Sequence, residues 1–170
     1  MCGCAISKSK HLVEEPVFQA RGKVSIVDPT FLLNARFDWK QFQKRFLLQV
    51  WGPLGHGKTK IWSEGGDIRI NSPELGDMTE VPDIVEKLGP IPFDAFGYWL
   101  QGLSSPDFAF KDVFYSSDGR LLGFGQLGWK VLYKDYKAFP VKDGQKVLPR
   151  VLAVTKSGHE ITMVITHWDF

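Results

Sequence analysis

The sequence lacks cysteine beyond its fourth residue, since both of its 2 cysteines, Cys2 and Cys4, lie at the N-terminus. Two cysteines so close together are poorly placed for a disulfide with each other. No run of roughly 18 or more apolar residues occurs, so no membrane-spanning helix is predicted. Lys and Arg number 21 against 19 Asp and Glu, a net charge of +2. That balance leaves no strong overall field for nucleic acid or for anionic lipid headgroups.

The sequence also lacks the usual signs of catalysis. Its 4 histidines show no metal-ligand spacing, and the body of the chain has no thiol to assist them. No G-x-S-x-G nucleophile motif is present, and the carboxylates are scattered on turns and polar faces. We therefore expect a protein that is not an enzyme, without a metal site or a cofactor. The histidines are His11, His56, His159 and His167.

One stretch does match a catalytic pattern, because residues 52–59 fit the phosphate-binding motif G-x-x-x-x-G-K-[ST]. That motif needs a helix opening at Lys58-Thr59, whose N-terminus supplies amides to the phosphates. Instead, Ile68 and Ile70 alternate with polar residues soon afterwards, which is typical of a strand. A P-loop nucleotidase stays as a remote alternative.

Strand patterns dominate the rest of the chain, and residues 17–170 are predicted to form a single domain. Alternation of apolar and polar residues predicts strands over residues 18–26, 31–40, 45–51, 58–63, 67–71, 110–116, 121–126, 129–134, 147–155 and 160–168. Helical spacing predicts two short helices, one from Thr79 to Leu88 and one from Phe93 to Leu100. With so few crossover connections, the sheet should be mostly antiparallel.

The first 16 residues have a different character. Gly3-Cys4 fits the end of a bacterial lipoprotein signal, in which a small residue precedes the cysteine that receives the lipid. Residues 6–16 are polar and charged, as in a flexible linker between an anchor and a folded body. An ordinary cytosolic N-terminus is the alternative, because the charged and apolar regions of a signal peptide are missing upstream.

Large apolar side chains recur on the predicted inward rows. About ten strands with few helices can enclose an apolar pocket rather than a solid core. Acyl chains would suit such a pocket, because each buried methylene gains about 0.8 kcal/mol. A solid core is the simpler interpretation of each residue taken alone. The cavity candidates are Phe37, Trp39, Phe46, Leu48, Trp99, Trp129, Tyr133, Met163 and Ile165.

Several segments, taken in order, resemble the family of the outer-membrane lipoprotein receptor LolB. Each segment is weakly specific alone, but the ordered set covers nearly the whole chain from about residue 17. The segments are Phe18-Gln19-Ala20-Arg21-Gly22, Ala35-Arg36-Phe37-Asp38-Trp39, Gly52-Pro53-Leu54-Gly55, Ile91-Pro92, Tyr98-Trp99-Leu100-Gln101-Gly102-Leu103, Gly128-Trp129-Lys130-Val131-Leu132-Tyr133, Leu148-Pro149-Arg150 and Val164-Ile165-Thr166-His167-Trp168.

The resemblance implies an unclosed antiparallel β-barrel whose mouth is covered by short α-helices, with an apolar cavity between them. It implies a monomeric, non-enzymatic protein anchored through Cys4 to the periplasmic face of the outer membrane of a Gram-negative bacterium. Such a protein would accept acylated lipoproteins from a LolA-like carrier and insert their acyl chains into outer-membrane phospholipid. A soluble periplasmic carrier of the same fold is the alternative, which an unlipidated Cys4 would favour.

The resemblance also gives a role to the turn formed by Pro53, Leu54 and Gly55. In the family, the leucine of this turn projects from a loop and is needed for membrane insertion. The local chemistry agrees, because Pro53 fixes the backbone ahead of Leu54, and Gly52 and Gly55 permit a tight turn. A leucine at such a tip cannot reach the core, although one exposed leucine by itself needs no explanation.

Overall fold

A computed structural model of the chain describes residues 14–55, 57–64, 66–71 and 91–170. Within these ranges the chain forms ten strands and one helix. The strands are β1 (Phe18–Asp28), β2 (Phe31–Gln41), β3 (Phe46–Trp51), β4 (Thr59–Glu64), β5 (Asp67–Asn71), β6 (Phe110–Tyr115), β7 (Leu121–Gln126), β8 (Trp129–Val141), β9 (Gly144–Lys156) and β10 (His159–Asp169), and the helix is α1 (Phe93–Leu100).

All ten strands belong to one antiparallel sheet in the order β5-β4-β3-β2-β1-β10-β9-β8-β7-β6. Strands β1 to β5 pair in chain order, and so do β6 to β10; the pairing of β1 with β10 joins these two meanders. We call them the N-terminal half (β1–β5) and the C-terminal half (β6–β10). The sheet ends at β5 and β6, so the prediction of a mainly β, unclosed antiparallel fold is confirmed.

Strand β2 shows how the sequence builds the two faces of the sheet. Ala35, Phe37 and Trp39 are buried, while the alternate residues Asn34 and Arg36 are exposed. Successive side chains of a strand point to opposite faces, so this alternation places the first set on the core side. The core of the molecule therefore lies on one face of the sheet.

Strands β8 and β9 are longer than predicted, at 13 residues each. The apolar alternation breaks after Tyr133, and the pairing of β8 with β9 shifts register between Tyr133 and Tyr136. A β-bulge of this kind bends a strand without ending it, which a search for strict period two misses. The turn between β7 and β8 lies at residues 127–128, between the predicted strands 121–126 and 129–134, and Leu127 there adopts a positive φ of 54° that leucine rarely takes.

Helix α1 covers the core face and contacts both halves of the sheet. At its start, the ring of Phe93 stacks on Phe46 of β3 at a centroid distance of 5.2 Å. Near its end, Trp99 meets Phe124 of β7 edge-on at 6.3 Å. The predicted helix at residues 93–100 is thus confirmed, and it packs against both halves on the core face.

The other predicted helix, Thr79 to Leu88, lies outside the described residues, as do Cys4 and His56. In the parts of the chain that the structure describes, no helix is both long and apolar enough to cross a membrane.

Candidate functional site

An apolar cavity of about 130 Å³ lies between α1 and the N-terminal half of the sheet. Its walls come from β1 to β4, from β10 and from the segment that leads into α1. Of the lining residues that the structure describes, Thr59 alone carries a hydroxyl group. The lining residues are Val24, Ile26, Leu33, Ala35, Phe37, Trp39, Leu48, Val50, Trp51, Gly52, Gly57, Thr59, Ile61, Ile91, Phe93, Phe96, Ile161 and Met163.

An aromatic stack closes one side of this cavity. The rings of Trp39 and Phe46 are nearly parallel, with centroids 4.8 Å apart, and Phe46 stacks in turn on Phe93. The indole nitrogen of Trp39 donates to the Gln41 side-chain oxygen at 3.1 Å. Because its polar atom is satisfied there, Trp39 can offer an apolar ring face to the cavity.

The size of the cavity limits what it holds in this conformation. A cavity of about 150 Å³ in another protein accommodates one benzene molecule, so 130 Å³ corresponds to roughly six carbon atoms. A longer acyl chain must therefore extend beyond this space or separate α1 from the sheet. Such a separation would move the cavity-lining residues Phe93 and Phe96 of α1 away from the sheet.

The loop between β3 and β4 stands at the edge of the cavity. Gly52 and Gly57, on either side of its tip, both line the cavity. The backbone nitrogen of Gly55 donates to the Gly52 oxygen at 2.9 Å, which closes a turn with Pro53 and Leu54 at its centre. Gly55 takes a φ of 83°, which glycine adopts without strain. The side chain of Leu54 is 87% exposed.

The cavity candidates from the sequence divide into two groups. Phe37, Trp39, Leu48 and Met163 line the cavity. The remaining candidates are buried but do not line this cavity: Phe46, Trp99, Trp129, Tyr133 and Ile165.

A hydrogen-bonded network joins the end of α1 and the segment after it to the C-terminal half of the sheet. The indole nitrogen of Trp99 donates to the Gln126 side-chain oxygen at 2.8 Å, and the backbone nitrogen of Ser105 donates to the same oxygen at 3.0 Å. The Gln126 amide donates to the oxygens of Ser105 and Phe108. Every polar group of the Gln126 side chain is thus satisfied while 2% exposed, which makes this region rigid.

Two tyrosines extend this network. The Tyr133 hydroxyl donates to the Trp99 backbone oxygen at 2.8 Å, and burial raises the pKa of Tyr133 well above its ordinary value. The Tyr136 hydroxyl donates to the Leu121 oxygen at 2.6 Å, and burial raises the pKa of Tyr136 to about 12. Both hydroxyls therefore remain protonated donors at neutral pH, and Tyr133 ties the end of α1 to the sheet.

The phosphate-binding motif lacks the structure that its chemistry needs. Thr59 is 2% exposed and begins strand β4, so no helix opens at Lys58-Thr59. The Lys58 ammonium lies 5.9 Å from the centroid of the Trp51 ring. Across the described ranges, no three side chains of His, Cys, Asp or Glu form a group that could hold a metal ion.

Comparison with known proteins gives a consistent set of relatives. A family model described as Outer membrane lipoprotein LolB matches residues 16–168. The Outer-membrane lipoprotein LolB of Ectopseudomonas mendocina (strain ymp) is 29% identical, over 89% of this chain and 74% of that protein. That of Pseudomonas fluorescens (strain Pf0-1) is 26% identical, over 96% of this chain and 79% of that protein.

A solved structure also overlaps most of the chain. It is the crystal structure of a DUF1329 family protein from Desulfovibrio piger ATCC 29098, with a TM-score of 0.44 and 10% sequence identity. The overlap covers 90% of this chain and 85% of the other.

Proposed function

The chain belongs to the family of the outer membrane lipoprotein LolB, and from this premise we propose that it receives lipoproteins and places their acyl chains in the outer membrane. The apolar cavity would hold part of an acyl chain, and the Leu54 loop would deliver it. The observation that carries the proposal is the position of Leu54, which is 87% exposed on a loop whose base lines the cavity.

A leucine at that position suits transfer between the cavity and a bilayer. Moving an exposed leucine side chain from water into hydrocarbon gains about 2 kcal/mol. Because Gly52 and Gly57 line the cavity, a loop whose tip enters a membrane would bring the cavity close to the lipid. The acyl chain would then exchange one apolar environment for another, which requires no cofactor.

The direction of transfer depends on whether the cavity or the bilayer binds the acyl chain more tightly. The lining of the cavity offers apolar contacts, and each methylene taken up from water gains about 0.8 kcal/mol. A space for roughly six carbons buries only part of a long chain, whereas a bilayer buries all of it. We therefore expect the chain to move from this protein into the membrane once the Leu54 loop is inserted.

The N-terminal cysteine Cys4 is the proposed attachment point of the protein to its membrane. We propose that Cys4 carries a lipid that holds the protein on the periplasmic face of the outer membrane, with residues 1–16 as the linker to a single domain over residues 17–170. A LolA-like carrier would deliver the lipoproteins to a monomeric receptor. Mass spectrometry of the protein from its native membrane should find an acylated Cys4; an unmodified Cys4 would favour a soluble carrier.

The substitution Leu54→Glu tests the division between capture and delivery. We expect the variant to bind an acylated lipoprotein as the wild type does and to fail in transferring it to liposomes. Val147→Glu is the matched control, because Val147 is also exposed, at 51%, on a strand that contributes nothing to the cavity lining. Equal loss of capture and delivery in Leu54→Glu, or equal loss of delivery in both variants, would contradict the proposal.

A further inference from the structure

Two basic side chains lie side by side on the outer face of the sheet, next to the Leu54 loop. Lys23 of β1 and Arg36 of β2 are direct partners across the two strands, and both are exposed. Together with Pro53 they border one shallow groove. The groove therefore places two cations beside the residue that precedes Leu54.

Among the residues that the structure describes, this pair of cations has no counterion. Like charges directly opposite each other on neighbouring strands destabilise a sheet. Within residues 14–55, 57–64, 66–71 and 91–170, no carboxylate forms an ion pair with Lys23 or Arg36. Glu160, on the neighbouring strand β10, is already engaged by Lys134 and Thr162. An uncompensated cation pair costs stability, and such costs concentrate at sites that bind something.

The chemistry of the groove suits a phosphate group. Ser25 and Asn34 also border it, and their hydroxyl and amide groups can donate hydrogen bonds. The planar guanidinium of Arg36 matches the geometry of phosphate oxygens. The small net charge of the whole chain conceals this feature, because acidic residues elsewhere cancel the sum without neutralising this pair.

Apolar side chains extend beyond the cations at the same end of the sheet. Val27 and Leu32 pair across the β1–β2 hairpin and are 43% and 65% exposed. Strand β3 ends at Trp51, opposite Arg36, so the Leu54 loop and the hairpin both project past the cation pair. When the apolar ends of the Leu54 loop and the hairpin enter the acyl region of a bilayer, Lys23 and Arg36 lie at the level of the anionic headgroups.

We propose that this face docks on anionic phospholipid, with Lys23 and Arg36 binding the phosphate of the headgroup while Leu54 enters the bilayer. The inference rests on the proposed delivery of acyl chains to a membrane. It adds the class of lipid that is recognised and the orientation of the protein on the bilayer, with the ends of β1, β2 and β3 toward the lipid.

The test measures binding of the full chain, purified without an acyl anchor, to vesicles by cosedimentation. One set of vesicles contains phosphatidylcholine alone, and the other also contains phosphatidylglycerol. Wild type should bind the anionic vesicles more tightly, and Lys23→Gln with Arg36→Gln should weaken that binding roughly twentyfold or more. Binding to phosphatidylcholine should change little, and added salt should reduce the wild-type preference.

A second double variant, Lys44→Gln with Lys142→Gln, removes the same charge from exposed turns at the opposite end of the sheet. It should keep the preference of the wild type. Equal losses in the two double variants would overturn the inference, since they would indicate diffuse charge. Absence of any wild-type preference for anionic vesicles would also overturn it.

A stability measurement adds an independent readout. Because Lys23 and Arg36 repel each other, Lys23→Gln should leave the melting temperature unchanged or raise it, so weaker vesicle binding could not be attributed to unfolding. If Leu54→Glu blocks delivery while the cation variants keep the anionic preference, the docking inference fails and the delivery function stands.

Discussion

The two halves of the sheet carry similar large apolar residues on their core faces, yet they contact α1 in different ways: an apolar cavity lies beside it in one half, and hydrogen bonds hold it in the other. Under the N-terminal half, Trp39 and Leu48 line a cavity of about 130 Å³. Under the C-terminal half, Gln126 and Tyr133 bind Trp99 through its side chain and its backbone. Hydrogen bonds therefore hold the end of α1 on the sheet, whereas the described contacts of its beginning with the sheet are apolar.

The largest expected effect contrasts one residue from each half. Trp99→Ala should lower the free energy of unfolding by about 3–5 kcal/mol, because it leaves a void and removes the donor to Gln126. Leu48→Ala should cost less than about 2 kcal/mol, because that side chain is partly exposed and already borders empty space. Urea denaturation followed by circular dichroism measures both. Equal losses would show that the two halves are packed alike.

Adding volume should also be tolerated better at the cavity than at a tightly packed position. Ala95→Leu, on the fully buried face of α1, should destabilise the protein by about 1–3 kcal/mol through overpacking. Ala35→Leu adds the same atoms to the cavity lining and should cost under about 1 kcal/mol while weakening the binding of a fluorescent fatty acid. Thermal melting and ligand titration check this pair. Normal fatty-acid binding by Ala35→Leu would argue against the cavity as the acyl site.

A smaller effect is expected from the hydrogen bond of Tyr136 in the C-terminal half, and it depends on pH. The pKa of Tyr136 is raised from about 10 to about 12, so its stabilising contribution is fully present below pH 10 and is lost as the pH rises through 12. Tyr136→Phe should cost about 1 kcal/mol at neutral pH by removing the bond to Leu121. Its stability should also fall less steeply than that of the wild type above pH 10. Parallel curves in that range would refute the assignment.

The sequence predicted most of the fold because strand signals are local. The alternation in β1 and β2 and the helical spacing over residues 93–100 depend on neighbours in the chain. Strand β8 was underestimated because its bulge after Tyr133 is set by pairing with β9. The Leu54 turn was found because glycine and proline report directly on backbone conformation.

The sequence could not separate cavity residues from core residues. Trp39 and Trp129 look alike in an alternating strand, and their different environments are set by tertiary packing. The cation pair could not be predicted from the sequence either, because the register of β1 against β2 brings Lys23 and Arg36 together. Net charge, which the sequence does give, says nothing about such pairs.

We propose that acyl chains enter the apolar cavity under the N-terminal half of the sheet and not the core under the C-terminal half. Photocrosslinking with a fatty acid that carries a diazirine near its methyl end tests this directly, with the attachment sites located by mass spectrometry. The claim predicts labels on cavity-lining residues such as Leu48 and Met163. Labels concentrated on Trp129 and Tyr133 would contradict it.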